Sequence, residues 1–282
     1  MAIHQIREIL RPATVEEAWT LRVAAPESRR FLAGGIELVL YTPPAVTDLI
    51  DLSRLPMGGI REEKGDLILG ATSTFSEALS SPLVARYGGG VLAAALRRVA
   101  SPLQRNVATF GGSVVRGHPW SDVTCVLMGL DATLDAYDGA ALTVDLDGAR
   151  GRSPVPPLVT AIRLPAALRD VRGGFEKFSA TAFDVATLNC ACVVDIVGRI
   201  CREAHVVVGG TPAAPRRLVE AENALRGRAL DDEAIAAAAG VAAREVDARD
   251  DRRATAWYRR ELASIGVRRC LVAARGEGDE VE

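Results

Sequence analysis

Residues 32–38 read LAGGIEL, and residues 108–113 read ATFGGS. Each segment places a Gly-Gly pair directly after an apolar residue. Glycine pairs allow the backbone to turn with positive φ, and such a turn exposes consecutive N–H groups to an anion. Each pair alone is also typical of an ordinary turn. If the fold brings Gly34-Gly35 and Gly111-Gly112 together, the two loops predict a cradle for a pyrophosphate.

A carboxylate follows the second pair. Asp122 lies ten residues after Gly112, where it could accept hydrogen bonds from ribose hydroxyls. It could equally be the N-cap of a helix predicted over Asp122–Leu130. The chain contains neither a Walker loop nor a G-x-G-x-x-G fingerprint, which argues against the usual mononucleotide and Rossmann sites. The residues themselves therefore predict a two-loop phosphate cradle and no more.

Composition excludes several classes of protein. The 282 residues carry a net charge of −2, whereas a dedicated nucleic-acid binder usually has a basic surplus. Five cysteines without a C-x-x-C pair, and three histidines, predict no metal site in this chain. No apolar run reaches the roughly 18 residues of a membrane span. Residues 1–10 do not resemble a signal peptide, so we expect a cytoplasmic protein with free thiols.

Local patterns predict where helices and hairpins lie. Capping boxes at Thr14–Glu17 and Thr74–Glu77 start helices, and Lys64-Gly65 turns a hairpin. Apolar runs over Thr187–Val197 and Ile200–Val208 predict a second hairpin. The helices expected after this hairpin cover Pro215–Arg226, Asp232–Val246 and Ala254–Ala274.

Strands followed by helices in the last third of the chain indicate an α+β domain. We predict domains over residues 1–55, 56–170 and 171–282. The glycine-bearing stretch Ala100–Ser113 is expected to be irregular. Trp257 and Tyr258 are expected to anchor the last helix in the core.

Several motifs occur in a fixed order along the chain. They are residues 32–38, GATST at 70–74, residues 100–113, GHPWSD at 117–122, AENALRG at 221–227, and residues 258–269. In this order they resemble the FAD-binding subunit, or medium chain, of the molybdenum hydroxylases, the xanthine dehydrogenase and aerobic carbon monoxide dehydrogenase family. The match covers essentially the whole chain, and the combination is more specific than any one motif.

The resemblance implies an α+β fold in which an FAD-binding domain of two α/β subdomains precedes a C-terminal α+β domain with an antiparallel sheet and helices. It also implies a set of FAD-binding residues: Ala33, Gly34, Gly35, Ile36 and Glu37 at the pyrophosphate, Thr109, Gly111, Gly112 and Ser113 in the second cradle, Asp122 at the ribose, and Leu158 and Lys177 near the isoalloxazine. It identifies no catalytic side chain and no metal ligand in this chain.

The implied activity is electron transfer through FAD. A large subunit would carry the molybdopterin cofactor, and a small subunit would carry two [2Fe–2S] clusters. The three subunits would assemble as a dimer of heterotrimers. The substrate of the whole complex and the final acceptor stay open, because neither is determined by this chain.

Some residues depart from the family pattern or allow other roles. Ile36 replaces a usual Thr or Gln, Ser113 replaces a common Asn, and the segment from Leu142 to Val159 is shortened and proline-rich. These departures leave open a degenerate structural or assembly subunit, and a free-standing flavin oxidoreductase is a further alternative. Lys177 could instead form a surface ion pair with Glu176. His118 could lie at the adenine side of the cofactor or simply on a surface loop.

Overall fold

A computed structural model of the protein describes residues 4–146, 148 and 155–276. The chain divides into two compact units. The first unit contains Met1–Ala78, Ser101–Arg116 and Thr133–Arg163. The second contains Leu79–Ala100, Gly117–Ala132 and Leu164–Glu282. Both units are therefore assembled from separate stretches of chain.

The described helices and strands follow one another along the chain. In chain order they are β1 (Glu8–Leu10), α1 (Val15–Ala24), β2 (Arg29–Leu32), α2 (Ile36–Tyr41), β3 (Asp48–Asp51), β4 (Ile60–Glu63), β5 (Asp66–Gly70), α3 (Phe75–Ser80), α4 (Pro82–Arg86), α5 (Val91–Arg98), α6 (Pro102–Arg105), α7 (Phe110–Arg116), α8 (Asp122–Gly129), β6 (Thr133–Tyr137), β7 (Ala141–Asp145), β8 (Leu158–Leu164), β9 (Arg172–Phe178), β10 (Leu188–Val197), β11 (Ile200–Gly209), β12 (Arg216–Arg217), α9 (Val219–Asn223), α10 (Asp232–Glu245) and α11 (Ala256–Arg275). Short 3-10 helices cover Tyr87–Gly90 and Ala166–Leu168.

The first unit contains a parallel sheet in the order β1–β3–β2 and a second sheet in the order β4–β5–β8–β6–β7. Helix α1 packs against β2 and β3. Lys64 and Gly65 join β4 to β5 with φ of 54° and 94°, the positive values that a tight hairpin turn requires. The predicted hairpin at this position is confirmed.

The second unit is built on an antiparallel sheet in the order β12–β11–β10–β9. Helix α11 packs on one face, with α10 against it, and Cys190 and Cys192 of β10 lie in this core. Helix α8 packs on the other face, where Ala191 and Val193 of β10 lie beside Gly129. Since side chains alternate along a strand, β10 is covered on both faces, which accounts for its almost continuous apolar sequence.

Side-chain caps begin several helices at the predicted residues. The Thr14 hydroxyl accepts from the Glu17 N–H at 3.1 Å at the start of α1. At α3 the Thr74 hydroxyl accepts from the Glu77 N–H at 3.1 Å, and the Glu77 carboxylate accepts from the Thr74 N–H at 2.7 Å. This second pair is a complete capping box, so a short local sequence is sufficient to set the helix start.

The predicted fold class is confirmed, but the helix predicted over Pro215–Arg226 is wrong in extent. Arg216–Arg217 instead form β12, because these residues pair with Val207 and Val208 at the edge of the sheet. The helix that follows, α9, covers only Val219–Asn223. The stretch Ala100–Ser113 is likewise not irregular throughout, since it contains α6 and the start of α7.

Trp257 and Tyr258 do not anchor α11 in the core. Their exposed fractions are 68% and 47%. The residues of α11 that are buried include Arg259, Leu262 and Ala263, so the two aromatic side chains lie outside the helix face that packs on the sheet. Arg259 replaces them as the anchor, because its guanidinium binds both carboxylate oxygens of Asp251 at 2.9 Å.

Some predictions concern the chain as a whole. The cysteines are buried free thiols, as predicted. Among the described residues, no helix has the length and apolar character needed to cross a membrane. The domain boundaries after residues 55 and 170 stay predictions. The shortened segment between Leu142 and Val159 includes residues 147 and 149–154, which lie outside the described residues.

Candidate functional site

The first glycine pair connects β2 to α2. Gly35 precedes the helix with φ of 75°, and no side chain caps the helix start. Within the described chain, the N–H groups of Gly34, Gly35 and Ile36 donate to no acceptor. The Ile36 side chain is hydrocarbon and cannot satisfy them. This loop therefore keeps consecutive N–H groups available to an anion.

Gly34 packs against the backbone that leads to the second glycine pair. A Cβ at Gly34 would overlap the carbonyl oxygen of Val107 and lie 3.5 Å from the Ala108 Cα. That backbone is held in place, since both residues donate their N–H groups to the Gln104 carbonyl at 3.1 and 2.8 Å. The Ala108 carbonyl also accepts from the Phe75 N–H at 3.0 Å. Gly34 is thus needed for close approach, and its φ is not positive.

The second pair, Gly111 and Gly112, lies inside α7. Neither residue has a positive φ, so the nest predicted for this pair is wrong. Gly111 instead permits close packing on Ala71: its N–H donates to the Ala71 carbonyl at 2.8 Å, and an added Cβ would lie 2.9 Å from the Ala71 Cβ.

The other residues of the second segment have internal partners. The Thr109 hydroxyl accepts from the Gly112 N–H at 3.4 Å, and the Thr109 carbonyl accepts from the Ser113 N–H at 3.1 Å. Thr109 is buried, whereas Gly112 is exposed. The backbone donors of this segment are therefore already engaged, unlike those of Gly34 and Gly35.

The Glu37 carboxylate is directed to a neighbouring arginine. The Arg116 Nε donates to it at 2.9 Å, and the same guanidinium lies 5.9 Å from the centre of the Tyr41 ring. Ala33 and Ile36 flank the glycine pair and are half-buried. Since Arg116 neutralises Glu37, the acidic side chain beside the loop does not oppose binding of an anion.

Asp122 lies in the second unit as the first residue of α8. The N-cap is Ser121, whose hydroxyl accepts from the Thr124 N–H, so the interpretation of Asp122 as the N-cap is wrong. The Asp122 side chain is buried and both of its oxygens have partners. Oδ2 lies 3.0 Å from the Lys177 Nζ, and Oδ1 accepts from the Asn189 amide at 2.6 Å.

Lys177 is buried, so the interpretation as a surface ion pair with Glu176 is wrong. Its Nζ donates to the Arg98 carbonyl at 3.0 Å in addition to its contact with Asp122. The Arg98 guanidinium in turn donates to the Glu176 carboxylate at 2.8 Å and to the Lys177 carbonyl at 2.6 Å. The two positive and two negative groups in this cluster balance.

Burial sets the electrostatic character of this cluster. It raises the pKa of the Asp122 carboxyl above its usual range, while the Lys177 ammonium and the Asn189 amide act in the opposite direction. A buried carboxylate is stable only when such partners replace the water that it loses. Removing either partner should therefore favour the protonated acid.

Asn189 is the residue that the motifs missed. It is fully buried in β10, and its amide donates to the Trp120 carbonyl at 3.3 Å as well as to Asp122. The signal that could have indicated it is a single amide side chain in the apolar run Thr187–Val197. A polar side chain in a buried strand requires a partner, although the sequence does not say which.

Two further candidate residues, Leu158 and His118, lie in surroundings that do not by themselves indicate a ligand. Leu158, at the start of β8 in the first unit, is buried. His118 is half-buried and stacks on Trp120 with ring centres 4.7 Å apart, while the Arg253 guanidinium lies 4.2 Å from the Trp120 ring centre. In the described part of the chain, no group of His, Cys, Asp and Glu side chains is arranged to hold a metal ion.

Two family models match the chain over most of its length. Residues 4–166 match the FAD binding domain in molybdopterin dehydrogenase. Residues 174–274 match the CO dehydrogenase flavoprotein C-terminal domain. The first match includes both glycine pairs and Asp122, and the second includes Lys177 and Asn189.

Individual medium subunits of dehydrogenases and hydroxylases are also similar to this chain over nearly its whole length. The carbon monoxide dehydrogenase medium chain of Hydrogenophaga pseudoflava is 30% identical, over 93% of this chain and 95% of that protein. The nicotine 6-hydroxylase medium subunit of Paenarthrobacter nicotinovorans is 28% identical, also over 93% of this chain and 95% of that protein. A solved carbon monoxide dehydrogenase from H. pseudoflava, which lacks the Mo-pyranopterin moiety of its molybdenum cofactor, superimposes with a TM-score of 0.87 and 29% identity over 95% of this chain and 97% of that chain.

Proposed function

This chain belongs to the family of FAD-binding subunits of the molybdopterin dehydrogenases, which are oxidoreductases, and we propose that it is the electron-transfer subunit of a three-subunit molybdenum hydroxylase. In this proposal the chain accepts electrons from a small [2Fe–2S] subunit and passes them to a final acceptor. A large molybdopterin-binding subunit completes a heterotrimer, and two heterotrimers form the complex. Bound FAD would supply the reversible uptake of electrons.

The observation that carries the proposal is the loop at Gly34-Gly35. Its free N–H groups, the positive φ at Gly35 and the absence of a side chain at either residue fit the requirements of a pyrophosphate group. The ion pair with Arg116 offsets the negative charge of Glu37, which would otherwise oppose phosphate. The residues present thus fit the phosphate part of FAD, with backbone groups of Ala33 to Glu37 as its ligands.

The second segment would complete the cradle. Gly112 is exposed and carries no side chain, and Thr109 and Ser113 offer hydroxyl groups on either side of it. The N–H groups of this segment have internal partners, so we assign its contribution to hydroxyl groups and to the space left by Gly112. Its contact with Gly34 through Val107 keeps the two loops adjacent in the first unit.

In the second unit, Asp122 and Lys177 are the residues we propose for the ribose and the isoalloxazine. Each Asp122 oxygen contacts one polar side chain and can accept a second hydrogen bond. The Lys177 ammonium has three N–H donors, of which Asp122 and the Arg98 carbonyl use two. A cation near the flavin pyrimidine ring would stabilise the reduced, anionic form.

Flavin content and a substitution at Gly112 test the proposal together. The chain, purified with its large and small partner subunits, should show flavin absorbance and release FAD on denaturation. Gly112→Asp places a carboxylate beside the phosphate site and should reduce FAD occupancy at least tenfold through charge repulsion. Gly112→Ala fills part of the same space without adding charge, so it serves as the matched control, and its loss of occupancy should be clearly smaller than that of Gly112→Asp.

The outcomes separate the proposed function from its alternatives. A stable complex that turns over without any flavin would identify a structural or assembly subunit. Turnover by the isolated chain, without either partner, would identify a free-standing flavin oxidoreductase. Equal FAD occupancy in Gly112→Asp and Gly112→Ala would contradict the assignment of the second segment to the phosphate site.

A further inference from the structure

We infer that Asn189 is a positioning residue, which orients the Asp122 carboxylate so that Lys177 keeps one N–H directed to a ligand. The part of this inference that concerns the ligand rests on the proposed FAD function. The part that concerns Asp122 is a property of the second unit alone. Asn189 lies outside all of the sequence motifs that this chain shares with the family.

The sheet places Asn189 directly beside Lys177. The two residues are paired in register on the antiparallel strands β10 and β9, and Gly209 of β11 is paired with Asn189 on its other side. Side chains of directly paired residues lie on the same face of a sheet, here the face covered by α8. A Cβ at Gly209 would lie 2.5 Å from the Asn189 Oδ1, so the glycine leaves the space that the amide occupies.

The orientation of the amide follows from its partners. Both nearby groups, the Trp120 carbonyl and the Asp122 carboxylate, are acceptors, and the amide nitrogen donates to each. The Oδ1 atom is then left buried without a partner among the described residues. An unsatisfied buried acceptor is unfavourable, so the amide maintains this orientation at a cost. The contact with Asp122 is the strong one, because its acceptor is charged and the distance is 2.6 Å.

The Asn189 amide and the Lys177 ammonium therefore each contact a different oxygen of the Asp122 carboxylate. Asn189 binds Oδ1 and Lys177 binds Oδ2, so the carboxylate cannot rotate without losing one of the two contacts. The Arg98 carbonyl fixes a second direction of the Lys177 ammonium. The third N–H of Lys177 has no acceptor within the described chain, and it is the donor that we assign to the pyrimidine ring of the flavin.

A double-substitution cycle on FAD binding tests this role. Asn189→Leu keeps the side-chain size but removes the amide. It should weaken FAD binding about tenfold, because the flavin then loses the charge-assisted hydrogen bond from the Lys177 ammonium. In a Lys177→Gln background the same substitution should weaken FAD binding by much less than tenfold, because the Lys177 contact is already absent and only the contact of Asp122 with the ribose is left to disturb. The midpoint potential of the bound flavin should fall in Asn189→Leu and stay at the Lys177→Gln value in the double variant.

Controls separate positioning from general loss of packing. Val193→Ala removes buried methyl groups from the same strand and the same face, and should leave FAD affinity and potential unchanged. Asn189→Ala provides a second way to remove the amide if leucine disturbs the sheet. Additive effects of Asn189→Leu and Lys177→Gln on FAD affinity would overturn the inference, since a purely structural substitution acts independently of Lys177.

A measurement without FAD keeps the inference separate from the proposed function. In the apo protein carrying Trp19→Phe and Trp257→Phe, which leave Trp120 as the only tryptophan, unfolding by urea followed through fluorescence should show coupling between Asn189→Leu and Asp122→Asn. The unfolding constant of the double variant should differ from the additive value by about threefold or more. If the wild type binds no FAD, the proposed function fails and this cycle still decides whether Asn189 holds Asp122. Additivity here would overturn the inference in either case.

Discussion

The two glycine pairs share a dipeptide and an apolar predecessor, yet the fold uses them differently. Gly34-Gly35 lies in a loop and keeps its N–H groups free, while Gly111-Gly112 lies inside α7 with its N–H groups engaged. Within each pair, moreover, one glycine is needed for close approach of two backbones and the other is not. A Gly-Gly motif therefore indicates a site where side chains are excluded, and the reason for the exclusion must come from the surrounding fold.

Gly34→Ala should have the largest effect on stability. Its methyl group would overlap the Val107 carbonyl oxygen, and that backbone is held by hydrogen bonds to Gln104 and Phe75. Because backbone atoms cannot move aside as a flexible side chain can, we expect a loss of about 3 kcal/mol or more in the free energy of unfolding. The loss should be measured by urea denaturation of the apo protein.

The probe for this measurement should report on the first unit alone. Trp19 lies in α1, so Trp120→Phe and Trp257→Phe in the background leave it as the only tryptophan in the chain. Gly112→Ala in the same background is the matched control at the other pair. A loss below about 1 kcal/mol for Gly34→Ala would show that the two loops are not in close contact, and would remove the basis for a shared cradle.

Gly111→Ala should have an intermediate effect. The added methyl group would meet the Ala71 Cβ at 2.9 Å and the Ala71 carbonyl oxygen at 3.0 Å, distances that require a small shift. Alanine also favours the helix by up to about 1 kcal/mol, which offsets part of the strain. We expect a net loss of about 1 to 2 kcal/mol in the same Trp19 assay. A loss equal to that of Gly34→Ala would mean that α7 is as tightly constrained as the first loop.

The sequence was sufficient to predict features that depend on near neighbours. Capping at Thr14 and Thr74 and the turn at Lys64-Gly65 are local, so their chemistry can be recognised in a few residues. The positive φ expected at the first glycine pair is found at Gly35, whereas the positive φ expected at Gly111-Gly112 is not found.

Features that depend on distant pairing could not be predicted in the same way. The edge strand at Arg216–Arg217 forms because β11 offers free backbone groups, which overrides a local preference for helix. The partnership of Asn189 with Asp122 joins residues 67 positions apart, and the burial of Lys177 depends on packing of α5 and α8 over the sheet. A single sequence contains no direct signal for such pairs.

Gly112→Ala should change the free energy of unfolding least. The direction of this change separates the second glycine pair further from the first. The added methyl group would meet only the Thr109 hydroxyl, at 3.1 Å, and a hydroxyl on a side chain can rotate. Since Gly112 lies in a helix with an ordinary φ, replacement by alanine should increase the free energy of unfolding by about 0.5 kcal/mol. A glycine at position 112 would then lower the stability of the fold without being needed for its packing. Its presence is best explained by a ligand that occupies the space beside it. A decrease of more than about 1 kcal/mol in the free energy of unfolding would instead show that Gly112 has a packing role, and would leave the phosphate site to Gly34-Gly35 alone.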